Sequence, residues 1–465
     1  MADDELDLGV PHVVHIVGLG GSIMSAFAAV LVRMGHRVSG SDLRESATLG
    51  RMRALGVDAH VGHAAENLPP DVDVVIASTA IAASNPEVRR ATEIGVPVFT
   101  RAQTLRAMVA MRRTIAVAGS HGKTTTSSML ALVLREAGRR PSFLIGGDLN
   151  EVGTNASWEE GEWLVVEADE SDGTFLELAP DAAIVTNVEP DHLSHWGDFA
   201  SLVAGFDQFL DAVPGTRVVS VDDAVASRLA HVRRGDPRLV TFGFVEEAHY
   251  RVVGYEGRRA GSRFVLARRG EPLGTLELPV PGRHNAKNAA AAAAMAVELG
   301  VPFDAVRRAL GGFGGVARRF QFRGERDGVT FVDDYAHLPG EVAHMIEAAR
   351  EGDWAHVVVV FQPHRFTRTA ALWRDFADAF VGADTLVLTD VYGFNEPPQP
   401  GVSGRLILRA VLDAHPEQPV VYLPKRGDLV AQVPRLARPG DVVLTLGAGD
   451  LTTVPDEWLA RVGDG

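Results

Sequence analysis

The sequence predicts an α/β protein built from several parallel-sheet units, and three observations carry that prediction. Short apolar runs rich in Val and Ile recur along the chain, each closed by glycine or polar residues and followed by a helical pattern. One of them, Ile115 to Ala118, opens into Gly119-Ser120-His121-Gly122-Lys123-Thr124-Thr125 and an apolar helix to about Gly138, the strand–loop–helix order of a phosphate site. At 465 residues the chain has the length of about three domains.

Apolar content of 46% and charged content of 23% are those of an ordinary globular protein. The net charge of −15 argues against a nucleic-acid surface, so an anionic ligand needs a local cationic pocket. Without cysteine there is no disulfide, no thiolate nucleophile and no thiolate-bound zinc. No apolar run reaches the ~18 residues of a membrane span. The acidic stretch Ala2 to Leu8 lacks the basic and apolar regions of a signal peptide. A cytoplasmic protein without membrane insertion is expected.

Residues 1–111 read as a first Rossmann-like unit. A strand from His12 to Val17 meets the turn Gly18-Leu19-Gly20-Gly21, and a helical pattern runs from Ser22 to Met34. A second strand, Arg37 to Ser41, ends at Asp42, near the spacing of a ribose-binding acid. Further strands are expected at Val72 to Ser78 and Val96 to Thr100. Ile23 stands where a third fingerprint glycine belongs, so the turn suits a nucleotide diphosphate, an NAD(P) cofactor or a bare scaffold.

Residues 112–316 form the second unit. Glycine lets backbone N–H groups turn toward an anion, and the helix start adds partial positive charge. Lys123 can reach β/γ-phosphates, and the Thr124 hydroxyl can ligate Mg2+, which makes ATP the expected ligand. Val117 replaces the first glycine of the standard loop, and a capped helix start is the alternative. The strand Trp163 to Val166 ends in Glu167-Ala168-Asp169-Glu170-Ser171-Asp172, where a metal ligand is expected; Glu167 is the first acid, and a solvated loop is the alternative. His192 follows the strand Ala182 to Val188 and suits a second metal role, with a structural or surface histidine as the alternative. Alternating segments at Arg251 to Val253, Ser262 to Ala267 and Thr275 to Pro279 predict antiparallel strands. His284, Asn285 and Asn288 precede the alanine-rich helix Ala289 to Leu299 and suit either an adenine edge or a helix cap. Gly311 to Gly315 read as a hinge before Arg318-Arg319, which either clamp phosphate or decorate a linker.

Residues 317–465 return to alternating strands and helices. Strands are expected at Val329 to Val332, His356 to Phe361, Thr385 to Thr389, Val420 to Leu423 and Asp441 to Thr445. Three strand ends carry dense polar sequence: Asp333 to His337, Gln362 to Arg368, and Asp390 to Tyr392. In open α/β sheets such ends build the ligand crevice.

AGSHGKTTT, EADESD, TNVEPDHL, PGRHNAKNA, RRF, DDYAHLPGE and FQPHRFTR stand in this order along the chain. The series resembles the Mur ligases of peptidoglycan synthesis over nearly the whole length. The GLGG, SGSD, GH and STAI segments are most similar to the branch that adds the first alanine. The resemblance implies a three-domain architecture: an N-terminal Rossmann-like UDP-sugar domain, a central P-loop ATPase, and a C-terminal Rossmann-like amino-acid domain. It implies ATP and Mg2+ as cofactors, UDP-N-acetylmuramate and L-alanine as substrates, and no nucleic-acid partner. Lys123, Glu167, His192 and His337 would be catalytic, and Thr124, Glu167 and His192 would hold metal. The nucleotide would lie on Gly119, Ser120, His121, Gly122, Lys123, Thr124, Thr125, His284, Asn285, Asn288, Arg319 and Asp334. Gly18, Gly20, Ser22, Asp42, His63, Ser78 and Arg101 would face the UDP-sugar, and His364, Arg365 and Arg368 the alanine.

The sequence departs from the family pattern at Ile23 and Ala26 in the glycine turn, at Leu338 in place of a second histidine, and at Phe366 in place of tyrosine. Phe394-Asn395 lie in an atypical loop, and Asp207 occupies the region where several members carry a modified lysine. Two other readings stand beside alanine ligation: a sister ligase that recycles murein tripeptide, and a nucleotide-binding regulator without catalysis. Ser171 replaces the tyrosine usual in the recycling ligases.

Overall fold

The computed structural model describes residues 6–78 and 81–460. Thr79 and Ala80 of the STAI segment, and Ala2 to Glu5 of the acidic stretch, lie outside them. The chain divides into two compact units: Met1–Val252 with Leu266–Gly274 and Lys287–Leu310, and Val253–Val265 with Thr275–Ala286 and Gly311–Gly465.

In the first unit, strands β1 (Val13–Val17), β2 (Arg37–Asp42), β3 (Asp58–Val61), β4 (Val74–Ala77) and β5 (Val98–Thr100) form a sheet in the order β3-β2-β1-β4-β5. All its pairs are parallel. The first strand therefore sits centrally with crossovers to either side, which opens a crevice at its carboxyl end. The helix Ser22–Met34 buries Met24 to Leu31 and ends at Gly35, whose φ of 96° supplies the left-handed cap.

A second sheet follows, with β6 (Arg113–Ala118), β7 (Ser142–Leu149), β8 (Thr154–Ser157), β9 (Trp163–Glu167), β10 (Ala182–Val185), β11 (Arg217–Ser220) and β12 (Leu239–Gly243). These seven of its ten strands run in the order β12-β11-β10-β6-β9-β7-β8, so the phosphate-loop strand β6 lies between β10 and β9. The alternating segments form β13 (Tyr250–Arg258), β14 (Gly261–Arg268) and β15 (Glu271–Leu278), and the boundary between the units runs through all three.

The second unit carries β16 (Gln321–Arg326), β17 (Val329–Asp334), β18 (Val357–Phe361), β19 (Thr385–Leu388), β20 (Val420–Tyr422) and β21 (Val442–Leu446), in the order β16-β17-β21-β18-β19-β20. Only β16 pairs antiparallel, and its register shifts between Phe322 and Gly324. Strand alternation splits β18 between two cores. Val357, Val359 and Phe361 pack with Val342, Ile346 and Phe380, whereas Val358 and Val360 pack with Leu429, Val433 and Trp458.

The expected strands are present, β3, β7, β8, β11, β12 and β16 are additional to those expected from the sequence, and the expected strands differ at their ends. Asp42, Glu167, Asp333 and Asp334 lie inside their strands, because their backbones continue the ladder before the side chains turn to the loops. The alanine-rich helix begins at Arg283, so His284, Asn285 and Asn288 belong to its first turns and do not precede it. Asn285 Nδ2 donates to Pro281 O at 2.7 Å, fastening that start. Among the described residues no helix is long and apolar enough to cross a membrane.

The core under β6, β9 and β10 is centred on Phe175, whose ring lies 5.1 Å from both Phe206 and Phe209. All three are fully buried. Phe206→Ala should lower folding stability by about 3–5 kcal/mol through lost burial and a residual cavity. Urea unfolding of the two proteins measures it, and a loss under about 1 kcal/mol would mean the site collapses freely.

Candidate active site

The phosphate loop is built by exclusion of side chains. A Cβ on Gly119, at φ +130°, would stand 2.1 Å from Thr186 Oγ1, and one on Gly122, at φ +81°, would stand 2.5 Å from Asn288 Oδ1. Residues after β10 brace the loop: Ser120 N donates to Asn187 O at 3.2 Å, His121 N to Asn187 Oδ1 at 2.8 Å, and Thr186 Oγ1 to His121 O at 2.6 Å. Ser120 Oγ and Glu189 exchange two further bonds, and His121 Nε2 lies 3.2 Å from Glu189 Oε2.

Lys123 and Thr125 open the helix Lys123–Glu136. The Lys123 ammonium donates to Gly119 O at 2.7 Å and to Glu170 at 2.8 and 3.0 Å, with the Glu170 side chain 1% exposed. Burial pulls the ammonium's pKa down, but Glu170, Asp169 and Glu167 outweigh it and hold the value above the usual lysine range. Lys123 therefore stays charged. Thr124 Oγ1 donates to Glu167 Oε1 at 3.1 Å, and Glu167 Oε2 accepts Gly146 N at 2.7 Å, so these two sequence-predicted residues meet.

His192 joins a different group. Its imidazole and the carboxylates of Asp169 and Glu170 each offer a ligand atom, all within 4.8 Å of one another. Glu167 is not in that trio. Sequence reading passed over Asp169 and Glu170 because a run of acids resembles a solvated loop, yet Glu170 is fully buried. Two carboxylates and an imidazole are a donor set that suits a divalent cation.

In the N-terminal sheet the seven expected residues all lie at the carboxyl ends of the strands, three of them after β1. Gly18, Gly20 and Ser22 follow β1, Asp42 closes β2, His63 follows β3, Ser78 follows β4 and Arg101 follows β5. Asp42 Oδ2 accepts Gly20 N at 2.8 Å, and a Cβ on Gly20 would overlap that carboxylate. Ser22 Oγ donates to Gly146 O at 3.3 Å, and Arg101 pairs with Asp172 at 2.6 Å. His63 Nδ1 lies 2.8 Å from Ser41 Oγ and 3.2 Å from Glu87 Oε2. Glu87, unmarked in the sequence, is fully buried; burial pushes its pKa up, but bonds from His15, Ser41 and Asn67 prevail and hold it at about 2.

In the second unit, Asp334 accepts Phe320 N and Ala336 N, both at 2.7 Å. Arg319 lies over the Tyr335 ring at 5.4 Å. His284 stacks 6.1 Å from His344. His337 and His364 meet edge to face at 5.7 Å, and Arg368 Nη1 approaches His364 Nδ1 at 3.1 Å. Burial first, then His337, Arg368 and Arg365, push the His364 pKa down to about 3. His364 is therefore neutral, and the Arg368 bond to Nδ1 assigns the proton to Nε2. Of the departures, Leu338 is buried and Phe366 packs against Gly393.

Three family models match the chain in succession: the Mur ligase family catalytic domain over residues 13–113, the middle domain over 117–296, and the glutamate ligase domain over 318–449. A relative from Anaeromyxobacter sp. (strain Fw109-5), named UDP-N-acetylmuramate--L-alanine ligase, is 46% identical over 97% of both chains. The chain belongs to the Mur ligase family. A second relative of that name, from Bradyrhizobium sp. (strain ORS 278), is 44% identical over 96% of this chain and 98% of its own. The crystal structure of the alanine ligase MurC from Thermotoga maritima superposes with a TM-score of 0.82 at 31% identity, covering 97% of this Mur ligase and 99% of that chain. A murein peptide ligase from Psychrobacter arcticus, at 22% identity and a TM-score of 0.69 over 97% of this chain and all of its own, shares the fold.

Burial raises the Asp334 carboxyl to about 6 despite Arg319 and the two N–H donors. A free aspartate titrates near ~3.9, so the folded protein binds this proton more tightly than the unfolded chain. The stabilisation is complete below about pH 4 and is lost as pH rises through about 6. The wild type should lose on the order of 2–3 kcal/mol between about pH 4 and 7 from this group. Asp334→Asn should lack that slope. Denaturant unfolding at both pH values tests it, and parallel curves for the two proteins would refute the assignment.

Proposed function

We propose that this Mur ligase joins L-alanine to the carboxylate of UDP-N-acetylmuramate, converting ATP to ADP and phosphate. The observation that carries the reading is the convergence at the phosphate loop. There a charged lysine at the end of a loop with two glycines faces a buried carboxylate, with Thr124 and Glu167 bonded beside it. The near-full-length identity to relatives bearing the alanine ligase name supports the choice of substrates.

A carboxylate is a poor electrophile, so the γ-phosphate is transferred to it first and an acyl phosphate results. The neutral amine of alanine then attacks the acyl carbon, and inorganic phosphate leaves. Positioning and charge neutralisation do most of the work in such a transfer. Lys123 shifts from Glu170 to the migrating phosphoryl group. Thr124 with Glu167, and Asp169 with Glu170 and His192, would hold Mg2+, which supplies charge neutralisation to the phosphates. Asn285 and Asn288 address adenine, with His284, Arg319 and Asp334 toward the phosphates. His337, His364, Arg365 and Arg368 orient the amino acid. In this reading the three working domains are residues 1–111, 112–316 and 317–465, and the use of ATP and a UDP-sugar supports a cytoplasmic reaction.

Phosphate release with ATP, Mg2+, UDP-N-acetylmuramate and L-alanine is the direct test, with the ligated product identified by mass. Turnover with murein tripeptide alone, or none, would overturn the reading. Lys123→Ala and Glu167→Ala should each reduce turnover by about 10²–10³ or more while UDP-sugar binding persists. Near-normal turnover in either would mean the nucleotide lies elsewhere.

Arg368 presents a planar fork suited to a carboxylate. Arg368→Lys should raise the KM for alanine by roughly tenfold, with little change in the constants for ATP and UDP-N-acetylmuramate. Unchanged alanine KM with weakened ATP binding would reassign Arg368 to the nucleotide.

A further inference from the structure

The loop after β19 holds an aromatic ring in a place that the core does not explain. Phe394 is 53% exposed and has φ +46°, a left-handed conformation that a bulky L-residue rarely adopts. Arg365 is the other such residue nearby, at φ +65°. Their side chains meet, with the guanidinium carbon 5.4 Å from the Phe394 ring centre. Strained backbone at two residues whose side chains stack persists only where surrounding contacts impose it.

Those contacts are present. Tyr392 N donates to Pro363 O at 2.8 Å, Arg365 N to Tyr392 O at 2.9 Å, and Glu396 N to Gly393 O at 2.9 Å. The Glu396 carboxylate accepts Thr367 N at 3.0 Å and Thr367 Oγ1 at 2.7 Å. A Cβ on Gly393 would lie 2.7 Å from the Phe366 ring, so the turn packs directly on that side chain. The tip is thus fixed while half the Phe394 ring stays open. Its inner face meets His364, ring centres 5.8 Å apart, and His364 in turn touches His337 and Arg368.

An apolar wall beside two guanidinium groups and an imidazole is what a small amino acid requires: cations for its carboxylate, a hydrocarbon surface for its side chain. We propose that Phe394 sets the size of the amino-acid side chain accepted, the open half of its ring closing the pocket beside His364 and Arg365 holding that ring in place. The inference rests on the alanine-ligation reading and adds the residue that limits it to small amino acids. Phe394 touches the substrate side chain and takes no part in phosphoryl transfer.

The test is steady-state kinetics with glycine, L-alanine, L-serine and L-valine for the wild type, Phe394→Ala and Phe394→Tyr. In Phe394→Ala the ratio of kcat/KM for valine over alanine should rise about tenfold or more, the range a few methylenes command in a pocket. KM values for ATP and UDP-N-acetylmuramate should stay within about twofold, and Phe394→Tyr should keep the wild-type ratio. An unchanged ratio in Phe394→Ala, or a uniform loss across all amino acids and both other substrates, overturns the assignment to Phe394 alone. Absence of wild-type turnover with every amino acid overturns the ligase reading as well, so the two failures are distinguishable.

Discussion

The buried pair between Lys123 and Glu170 is the interaction on which the central domain depends. Each ion would cost several kcal/mol to strip of water alone, so neither stands in this loop without the other. The rest of the loop serves to bring them together. Gly119 and Gly122 let the backbone fold back far enough for the ammonium to reach a carbonyl, and the residues after β10 fix that backbone from below. The same Glu170 carboxylate lies within 4.8 Å of ligand atoms of Asp169 and His192, so the lysine's charge partner belongs to the cation-donor group as well.

The N-terminal sheet solves a different problem with the same geometry. Five parallel strands end at the same edge, and all seven residues expected there lie along it. The ionised Glu87 beside His63 Nδ1, at 3.2 Å, favours the tautomer with the proton on that nitrogen. That carboxylate reaches Ser41, Asn67 and His63 from a helix on the sheet's flank, and it remains ionised because its bonds outweigh its burial.

The parallel sheets, the phosphate loop and the helix Ser22–Met34 were legible from periodicity and glycine placement, since backbone rules act over a few residues. Resemblance then supplied roles for residues that local rules leave open. What escaped depends on depth. Glu87 sits in an ordinary helical stretch, and only the packing of that helix onto β4, β5 and the turn Ala65–Asn67, with its carboxylate reaching His15 and Ser41, makes it a buried acid. Asp169 and Glu170 belong to a run of polar residues, and the sequence does not reveal which of them faces inward. The strand ends erred for a related reason. Asp42, Glu167 and Asp334 carry side chains that suit a loop on backbones that still pair with a neighbour, so chemistry and hydrogen bonding end at different positions.

Strand β16 has an effect that reaches beyond the site. It is an edge strand, and a sheet edge with unpaired N–H and C=O groups is a template for a second chain. Here the ladder is interrupted between Phe322 and Gly324, Gly324 sits at φ +144° against Leu459, and Arg323 and Arg326 are tied to Asp456 and to Trp458 O. At the opposite edge β20 is only three residues long. Parallel sheets assemble slowly, and their exposed edges invite aggregation during that interval. A kinked, charged and covered strand on one side and a minimal one on the other leave this sheet no straight edge for a second copy to extend into a fibre.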